Sequence, residues 1–308
     1  MPYLGEACAL GAAVCWTGSS LGFALASKAV GPMPANQFRL VAAVPVLVLL
    51  ALVTTGSGWP TEASVARIGW LVASGLIGLV LGDIGFFHAL ATIGPRLSSV
   101  LMAAWPACTV GIDWLFGISP RPLVLLGITL TTAGIMLVLL RSREGTAWNP
   151  GLTRARWWSG VFGALLGALG QAGGYVVAGF GLAAAPDQPD GVSPLHGTVV
   201  RMATGVLGLQ LVLLGRGQPL ALRRVWPHRL ARRAALAGAL FGPVGGVWLS
   251  MVARREAPDN GVAASLMALS PVFMMPVAAI AYRARIGWFG AFGTCLAVAG
   301  AVVCVAVR

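Results

Sequence analysis

Ten apolar runs follow one another along the chain, separated by short segments rich in Gly, Pro or Arg. A helix that crosses the hydrocarbon core of a bilayer needs about 20 apolar residues. Ten of them use roughly 200 residues, so a chain of 308 residues has no room for a large extramembrane domain. The pattern predicts an all-α membrane protein with ten transmembrane helices, at 4–28, 36–55, 68–91, 95–117, 121–140, 158–184, 194–214, 233–253, 260–281 and 287–307.

Composition agrees with this pattern. Hydrophobic residues make up 57% of the chain and charged residues only 10%, against roughly 25% charged in an ordinary soluble domain. The net charge of +12 would suggest a nucleic-acid partner in a soluble protein, but in a membrane protein Arg-rich loops first report topology. We therefore expect membrane lipids as surroundings and no nucleic acid as partner.

The chain contains an internal repeat. A polar segment at 141–157 separates two sets of five spans, which predicts a first repeat at 1–145 and a second at 146–308. The distance between matching residues grows from 155 to 166, as expected if helices are retained and loops lengthen. The matches are Gly5 and Leu10 with Gly160 and Leu165, Arg39 with Arg201, Gly75, Gly82 and Pro95 with Gly238, Gly245 and Pro258, Leu101-Met102-Ala103-x-x-Pro106 with Leu266-Met267-Ala268-x-x-Pro271, and Gly127 and Gly134 with Gly293 and Gly300.

Five spans in each repeat is an odd number, so the second repeat must enter the membrane from the opposite side. Inverted repeats of this kind are the architecture on which many secondary transporters place a solute site near the bilayer midplane, between the two halves. The sequence therefore predicts two inverted five-helix repeats.

These paired units, each with an Arg early in its second helix, L-M-A-x-x-P in its fourth and a Gly-rich fifth, resemble the EamA-type drug/metabolite transporter superfamily. The resemblance covers essentially the whole chain. It implies a secondary transporter that exports amino acids or other small metabolites, or amphipathic organic solutes and drugs. Such proteins often close the fourth and ninth helices with Gly-Glu, whereas this chain has 116–118 as Phe-Gly-Ile and 282–284 as Tyr-Arg-Ala, so a role for that Glu does not transfer.

Small residues mark helix faces that should pack closely. In lipid, helix association depends on close backbone approach, which Gly at three- and four-residue spacing allows. We expect tight helix contacts, which are also compatible with sliding surfaces, along two such faces: Gly75, Gly78, Gly82 and Gly85 in the third span, and Gly160, Gly163, Gly167, Gly170 and Gly174 in the sixth.

Placing an ionisable residue in the middle of a transmembrane helix costs about 2.5–3.5 kcal/mol on insertion scales, so such a residue is expected to have a structural or functional role. Asp83 either binds a neighbouring helix or an Arg, or serves as a substrate or proton- and ion-coupling site. Arg39 and Arg201 either extend to the interface, form an ion pair, for which Asp83 is one partner, or contact substrate. Asp113 lies near the end of its span, which favours an interfacial position over a pocket.

The candidate substrate-binding residues are Trp16, Asp83, Trp105, Gln171, Tyr175, Trp248 and Ser270. The repeat matches Trp16 with Gln171 and Trp105 with Ser270, so each pair should face the axis between the halves; the alternative for each is ordinary packing or lipid contact. Arg39, Arg201, Pro106 and Pro271 are candidate structural or gating residues, and the two prolines should kink their helices, with plain helix distortion as the alternative.

The leading hypothesis is a monomeric secondary transporter of a small-molecule substrate, with alternating access and with protons as a candidate coupling ion. A lipid-carrier flippase or a facilitative uniporter of the same fold is the alternative. An enzyme is not expected, because the three His are scattered and no H-E-x-x-H zinc motif occurs. We expect no cofactor and no metal, and no Walker A motif is present to bind ATP.

Orientation is testable. Most of the 21 Lys and Arg fall in odd-numbered loops, so the positive-inside rule places both termini outside the cytoplasm, while the family resemblance implies that both are inside. For a protein of the cytoplasmic membrane, the charge count predicts that an alkaline phosphatase fused after Arg308 is active. An inactive phosphatase, together with a fluorescent green fluorescent protein at the same position, would favour the family's orientation.

Overall fold

The computed structural model describes residues 3–93, 98, 101–119, 121–141, 153–184, 190–270, 272–273 and 288–306. Every regular element among these residues is helical. The helices are α1 (Leu4–Val30), α2 (Pro32–Thr55), α3 (Val65–Gly75), α4 (Asp83–Thr92), α5 (Trp105–Leu115), α6 (Pro122–Arg141), α7 (Arg154–Leu182), α8 (Pro194–Gly215), α9 (Arg229–Ala239), α10 (Trp248–Glu256), α11 (Asn260–Met267) and α12 (Trp288–Ala306).

Seven helical stretches in this part of the chain are long and apolar enough to cross a membrane, and one shorter apolar helix covers Pro122–Leu137. Large apolar side chains on their outer faces are exposed, as lipid-facing side chains should be; Val53, Leu211 and Val302 are examples. The chain is therefore a multi-pass membrane protein.

Two of the stretches contain a wider, π-helical turn in their middle. Leu76–Gly82 joins α3 to α4, and Leu240–Val247 joins α9 to α10; we call the resulting units the α3–α4 rod and the α9–α10 rod. Pro243 lies inside the second π segment, where its missing N–H removes one helical hydrogen bond. The two segments occupy matching places in the repeats, and such π turns are frequent at functional sites.

The fourth span corrects the prediction of a kink at Pro106. The chain makes a turn at 103–104, and a new helix, α5, begins at Trp105 with Pro106 in its first turn, where the missing N–H is not needed. Residues 268–269 form the matching turn after α11. Each break contains an equivalent hydrogen bond of 3.2 Å. Ala104 N donates to the Leu101 carbonyl in the first break, and Leu269 N donates to the Leu266 carbonyl in the second. Pro271 lies outside the described residues.

The predicted glycine faces are confirmed as a tight helix contact. The α3–α4 rod packs along α7, and a Cβ on Gly170 would lie 2.5 Å from Gly82 Cα. Gly78 lies beside Gly174, and Gly85 beside Gly163. Along this contact the residue numbers increase on one helix and decrease on the other, so the two helices run antiparallel, with their backbones in direct contact.

α6 and α12 form a second antiparallel pair. Gly127 lies against Gly300, and Gly134 lies against Gly293. Gly127 is the repeat match of Gly293, and Gly134 is the match of Gly300, so each contact maps onto the other when the two repeats are exchanged. Likewise α1 packs along the α9–α10 rod, as α7 packs along the α3–α4 rod.

We predict that Gly170→Ala destabilises the protein by about 1–3 kcal/mol, the usual cost of overpacking, because the added methyl would collide with the backbone of Gly82. Gly69→Ala is the matched control, since Gly69 lies in α3 and no heavy atom is within 4 Å of its added Cβ. Thermal unfolding of the purified proteins in detergent measures both. Equal melting temperatures for the two variants would contradict the proposed backbone contact.

Candidate functional site

Three aromatic side chains from different helices meet in the interior. Trp16 of α1 and Trp105 of α5 have ring centroids 6.4 Å apart at 69°. Trp105 and Tyr175 of α7 are 5.9 Å apart at 81°. Both pairs have the edge-to-face geometry that aromatic rings favour. We call Trp16, Trp105 and Tyr175 the aromatic trio. All three are among the substrate-binding residues predicted from the sequence.

The helix breaks of the fourth and ninth spans place side chains beside α1. The first break ends at Trp105, which contacts Trp16. The second ends at Ser270, whose carbonyl oxygen accepts a hydrogen bond from Thr17 Oγ1 at 3.0 Å, while the two hydroxyls lie 3.1 Å apart. The L-M-A-x-x-P segments of both repeats thus converge on neighbouring residues of one helix.

Tyr175 is almost completely buried, and its hydroxyl has no hydrogen-bond partner among the described residues. The Arg254 guanidinium lies 5.7 Å from the Tyr175 ring centroid. Arg254 Nε donates to the Tyr175 carbonyl at 3.1 Å, and Nη2 donates to the Val176 carbonyl at 3.2 Å. Only a glycine at position 179 leaves room for this guanidinium, which lies where a Cβ would be.

A cavity of about 250 Å³ opens next to Arg254. Asp113, which we expected at the interface rather than in a pocket, is buried and lines this cavity. Its two carboxylate oxygens each accept a hydrogen bond of 2.9 Å from Asn260 Nδ2. Asp259 caps α11 by accepting from the backbone N–H groups of residues 261 and 262. The lining also includes Val110, Ile118, Arg255, Ala257 and Pro258.

Asp83 and Arg39 form an ion pair. Arg39 Nη2 donates to Asp83 Oδ2 at 2.7 Å, and 15% of the Arg39 side chain and 18% of the Asp83 side chain are exposed. The rings of Phe23 and Phe87 also lie near the guanidinium, at 4.9 and 6.0 Å. In this state the Asp83 carboxylate is engaged by a protein cation, and Arg39 points inward to it instead of extending to the interface.

Arg201, the repeat match of Arg39, is 3% exposed. Its Nη1 donates to Ser74 Oγ at 2.5 Å and to the Gly174 carbonyl at 2.8 Å, and it lies 3.6 Å from Met251 Sδ. Ser74 Oγ also donates to the Gly174 carbonyl. Arg201 is therefore held by neutral acceptors from three helices, and no carboxylate in the described part of the chain forms a salt bridge with it.

The remaining predicted residues lie apart from these contacts. Gln171 is half-buried on α7, one turn before Tyr175. Trp248, the first residue of α10, is half-buried and packs with the side chains between α2 and α8. Their roles in substrate binding stay predictions.

Sequence reasoning missed Arg254, Asn260 and Ser74. Arg254 and Asn260 lie at helix ends, where polar and charged residues are common and do not by themselves indicate a site. The available signal was Gly179 on α7, but a sequence cannot show that an arginine from another helix fills the space beside it. Ser74 belongs to the same helix as the predicted glycine face, and its small polar side chain serves Arg201 there.

Comparison with known proteins places this geometry in context. The model of the EamA-like transporter family matches residues 3–140 and 158–306. No curated protein matches the chain significantly. A crystal structure of another protein aligns over 100% of this chain and 98% of its own, with a TM-score of 0.76 and 18% identical residues. That likeness extends the agreement in fold to the whole chain.

Removing one partner of the Arg39–Asp83 pair should be costly, because it leaves the other charge unpaired away from bulk water. We predict that Asp83→Asn and Arg39→Gln each lower the thermal unfolding temperature, and that the double variant regains most of the loss. A coupling energy near zero in this double-mutant cycle would refute a structural role for the pair.

Proposed function

Because the chain belongs to the EamA-like transporter family, we propose that it is a secondary transporter of the drug/metabolite type, located in the cytoplasmic membrane. It moves small metabolites, such as amino acids, or amphipathic organic solutes, in the direction of export. The solute binds between the two repeats, and access alternates between the two sides of the membrane.

We propose further that ten spans form two inverted repeats, related by a two-fold axis in the membrane plane. The antiparallel α6–α12 pair supports this arrangement, since matching helices can run antiparallel only if the repeats are inverted. Three further features are consistent with a two-fold axis that exchanges the repeats. They are the reciprocal glycine contacts along that pair, the two π segments and the two equivalent helix breaks.

The aromatic trio is the observation that carries the proposed solute site. Broken helices are a recurrent feature of transporter sites, and here one break ends at Trp105 and the other at Ser270, both beside α1. The trio offers ring faces and edges for an apolar or aromatic solute. The Trp105 ring contacts both of the other rings in this structure, so we interpret it as a closed state in which the rings occupy the place of the solute.

The cavity beside Arg254 is the proposed vestibule. Arg254 contacts both the vestibule and the aromatic trio, because it lines the cavity and lies over the ring of Tyr175. A solute that enters from this end meets Asp113, Asn260 and Arg254 before it reaches the trio. Movement of the Arg254 side chain off the Tyr175 ring would connect the vestibule with the solute site.

Coupling to protons would require Asp83 to release Arg39. A carboxylate bound to a guanidinium is stabilised in its charged form, so proton uptake and opening of the pair must occur together. A stable Arg39→Gln/Asp83→Asn double variant that transports with the wild-type dependence on pH would remove Asp83 as the coupling residue.

We predict that Trp105→Ala weakens solute binding about tenfold or more, because the solute loses the indole surface against which it packs, and an aromatic contact is worth about 0.5–1.5 kcal/mol beyond the area it buries. The probes are a panel of radiolabelled amino acids, aromatic carboxylates and aromatic amines. Binding to purified protein and flux in proteoliposomes are both measured.

Trp114→Ala is the matched control. Trp114 lies on the same helix but is 69% exposed, so its removal should leave binding and flux unchanged. If no probe binds or moves, or if both variants behave alike, the proposed solute site is wrong.

A further inference from the structure

We propose that Arg201 and Tyr175 form a carboxylate-binding site, and that the transported solutes are organic acids, including zwitterionic amino acids, with an apolar or aromatic body. The inference rests on the proposed transport function and names the substrate class of the same site. It starts from the charge of Arg201, which forms no salt bridge with a carboxylate among the described residues.

Arg39, Arg201 and Arg254 differ in the acidic groups that lie near them. Arg39 has Asp83 as a direct partner at 2.7 Å. Arg254 shares its cavity with Asp113. Arg201 is the most buried of the three, and its contacts in the described residues are a hydroxyl, a carbonyl and a thioether. A buried charge with only neutral partners is costly, unless an anion completes the site for part of the working cycle.

The repeat shows where the missing acid would be expected. The match of Asp83 in the second repeat is Gly246, so the second repeat keeps the arginine and lacks its carboxylate. Gly246 lies directly against the Trp16 indole, 2.6 Å from the place of its Cβ to Nε1. In the second repeat, the place of that acid is therefore filled by the indole of Trp16, a member of the aromatic trio. A solute carboxylate can supply what the sequence omits.

Two buried hydrogen-bond donors of the proposed site lack partners among the described residues. Nη1 of Arg201 makes all three contacts of the guanidinium, while Nε is buried and has no partner among the described residues. The Tyr175 hydroxyl is likewise buried without a partner. An arginine binds a carboxylate through two parallel N–H groups, and the edge of Arg201 that contains Nε is available for this.

Arg201 and the trio are adjacent. The carbonyl that Arg201 binds belongs to Gly174, the residue before Tyr175, and Gly78 on the facing helix makes room for Nη2, which would lie 3.3 Å from a Cβ there. A solute bound with its carboxylate at Arg201 and the Tyr175 hydroxyl would have its body at the rings of Trp105 and Trp16. One unbalanced positive charge suits a monoanionic carboxylate better than a doubly charged phosphate.

Three probes with the same aromatic body test the charge preference: phenylacetate, the neutral phenylacetamide and the cationic phenethylamine. Binding to the purified full-length protein is measured by titration calorimetry. We expect phenylacetate to bind at least tenfold more tightly than the other two, and Arg201→Met to abolish this preference. Because the variant removes an uncompensated charge, its melting temperature without ligand should equal or exceed that of the wild type.

Arg67→Met is the matched control. Arg67 is also buried and also binds a helix-end carbonyl, that of Ala183, which lies about 12 Å along α7 from Tyr175 at 1.5 Å per residue. This variant should retain the preference for phenylacetate.

Two conservative variants keep the proposal testable if Arg201→Met does not fold. Arg201→Lys keeps the charge but loses the paired N–H groups, and we expect phenylacetate to bind about tenfold more weakly. Tyr175→Phe removes only the hydroxyl, and we expect a loss of about three- to tenfold for phenylacetate and none for phenethylamine.

The two proposals fail differently. If the probes bind in a manner that depends on Trp105, but phenylacetate has no advantage or the variants at 201 and 175 keep it, the carboxylate inference is overturned and the transporter proposal stands. If none of the three probes binds, the carboxylate inference is also overturned. If, in addition, nothing in the wider panel of solutes binds or moves, the proposed function falls as well.

Discussion

Direct backbone contact between helices is the constraint on which the rest of this fold depends. Lipid provides no hydrophobic drive for helices to associate, so they must gain their attraction from close packing. Gly82 and Gly170 bring the α3–α4 rod and α7 together at their backbones. The same absence of side chains creates room for polar groups, because the Arg201 guanidinium reaches Ser74 and the Gly174 carbonyl across the line of contact. Packing and charge burial are thus two uses of one glycine-rich interface.

The repeats agree in backbone and differ in chemistry. Both have a π segment in the third span and a turn in the middle of the fourth, but only the first has a carboxylate beside its arginine. Shared backbone features fit the alternating access proposed above, in which the two halves exchange roles. The proposed solute is not symmetric, however, and different polar groups on the two sides of the proposed site would give it one preferred orientation. The substitution of Gly246 for an acid is, on this view, where the second repeat has been adapted to the solute.

Much of the fold could be predicted because its signals are local. Apolar length predicted the seven long apolar helices and the shorter one that the structure describes, and glycine spacing predicted the face that packs against α7. The break before Trp105 could not be foreseen, since a proline within an apolar run is compatible with a kink and with a new helix start. The aromatic trio was predicted as residues but not as a contact. Arg254 was missed because its burial depends on Gly179 of a distant helix, and Asp113 was misplaced because its partner Asn260 belongs to the other repeat.

The distribution of contact types indicates where we expect movement during the proposed transport cycle. Separating α7 from the α3–α4 rod would open a long backbone interface and strand the charge of Arg201. The contacts between Trp16, Trp105 and Tyr175 are each worth only about 0.5–1.5 kcal/mol beyond their burial, and a solute with an apolar body can replace them in kind. The turns at 103–104 and 268–269 already interrupt the helical hydrogen bonds, so rotation there costs less than bending a continuous helix. We therefore expect the fourth and ninth spans to move while α7 and the α3–α4 rod stay together, which places the gate on the broken helices and the fixed charge on the rigid ones.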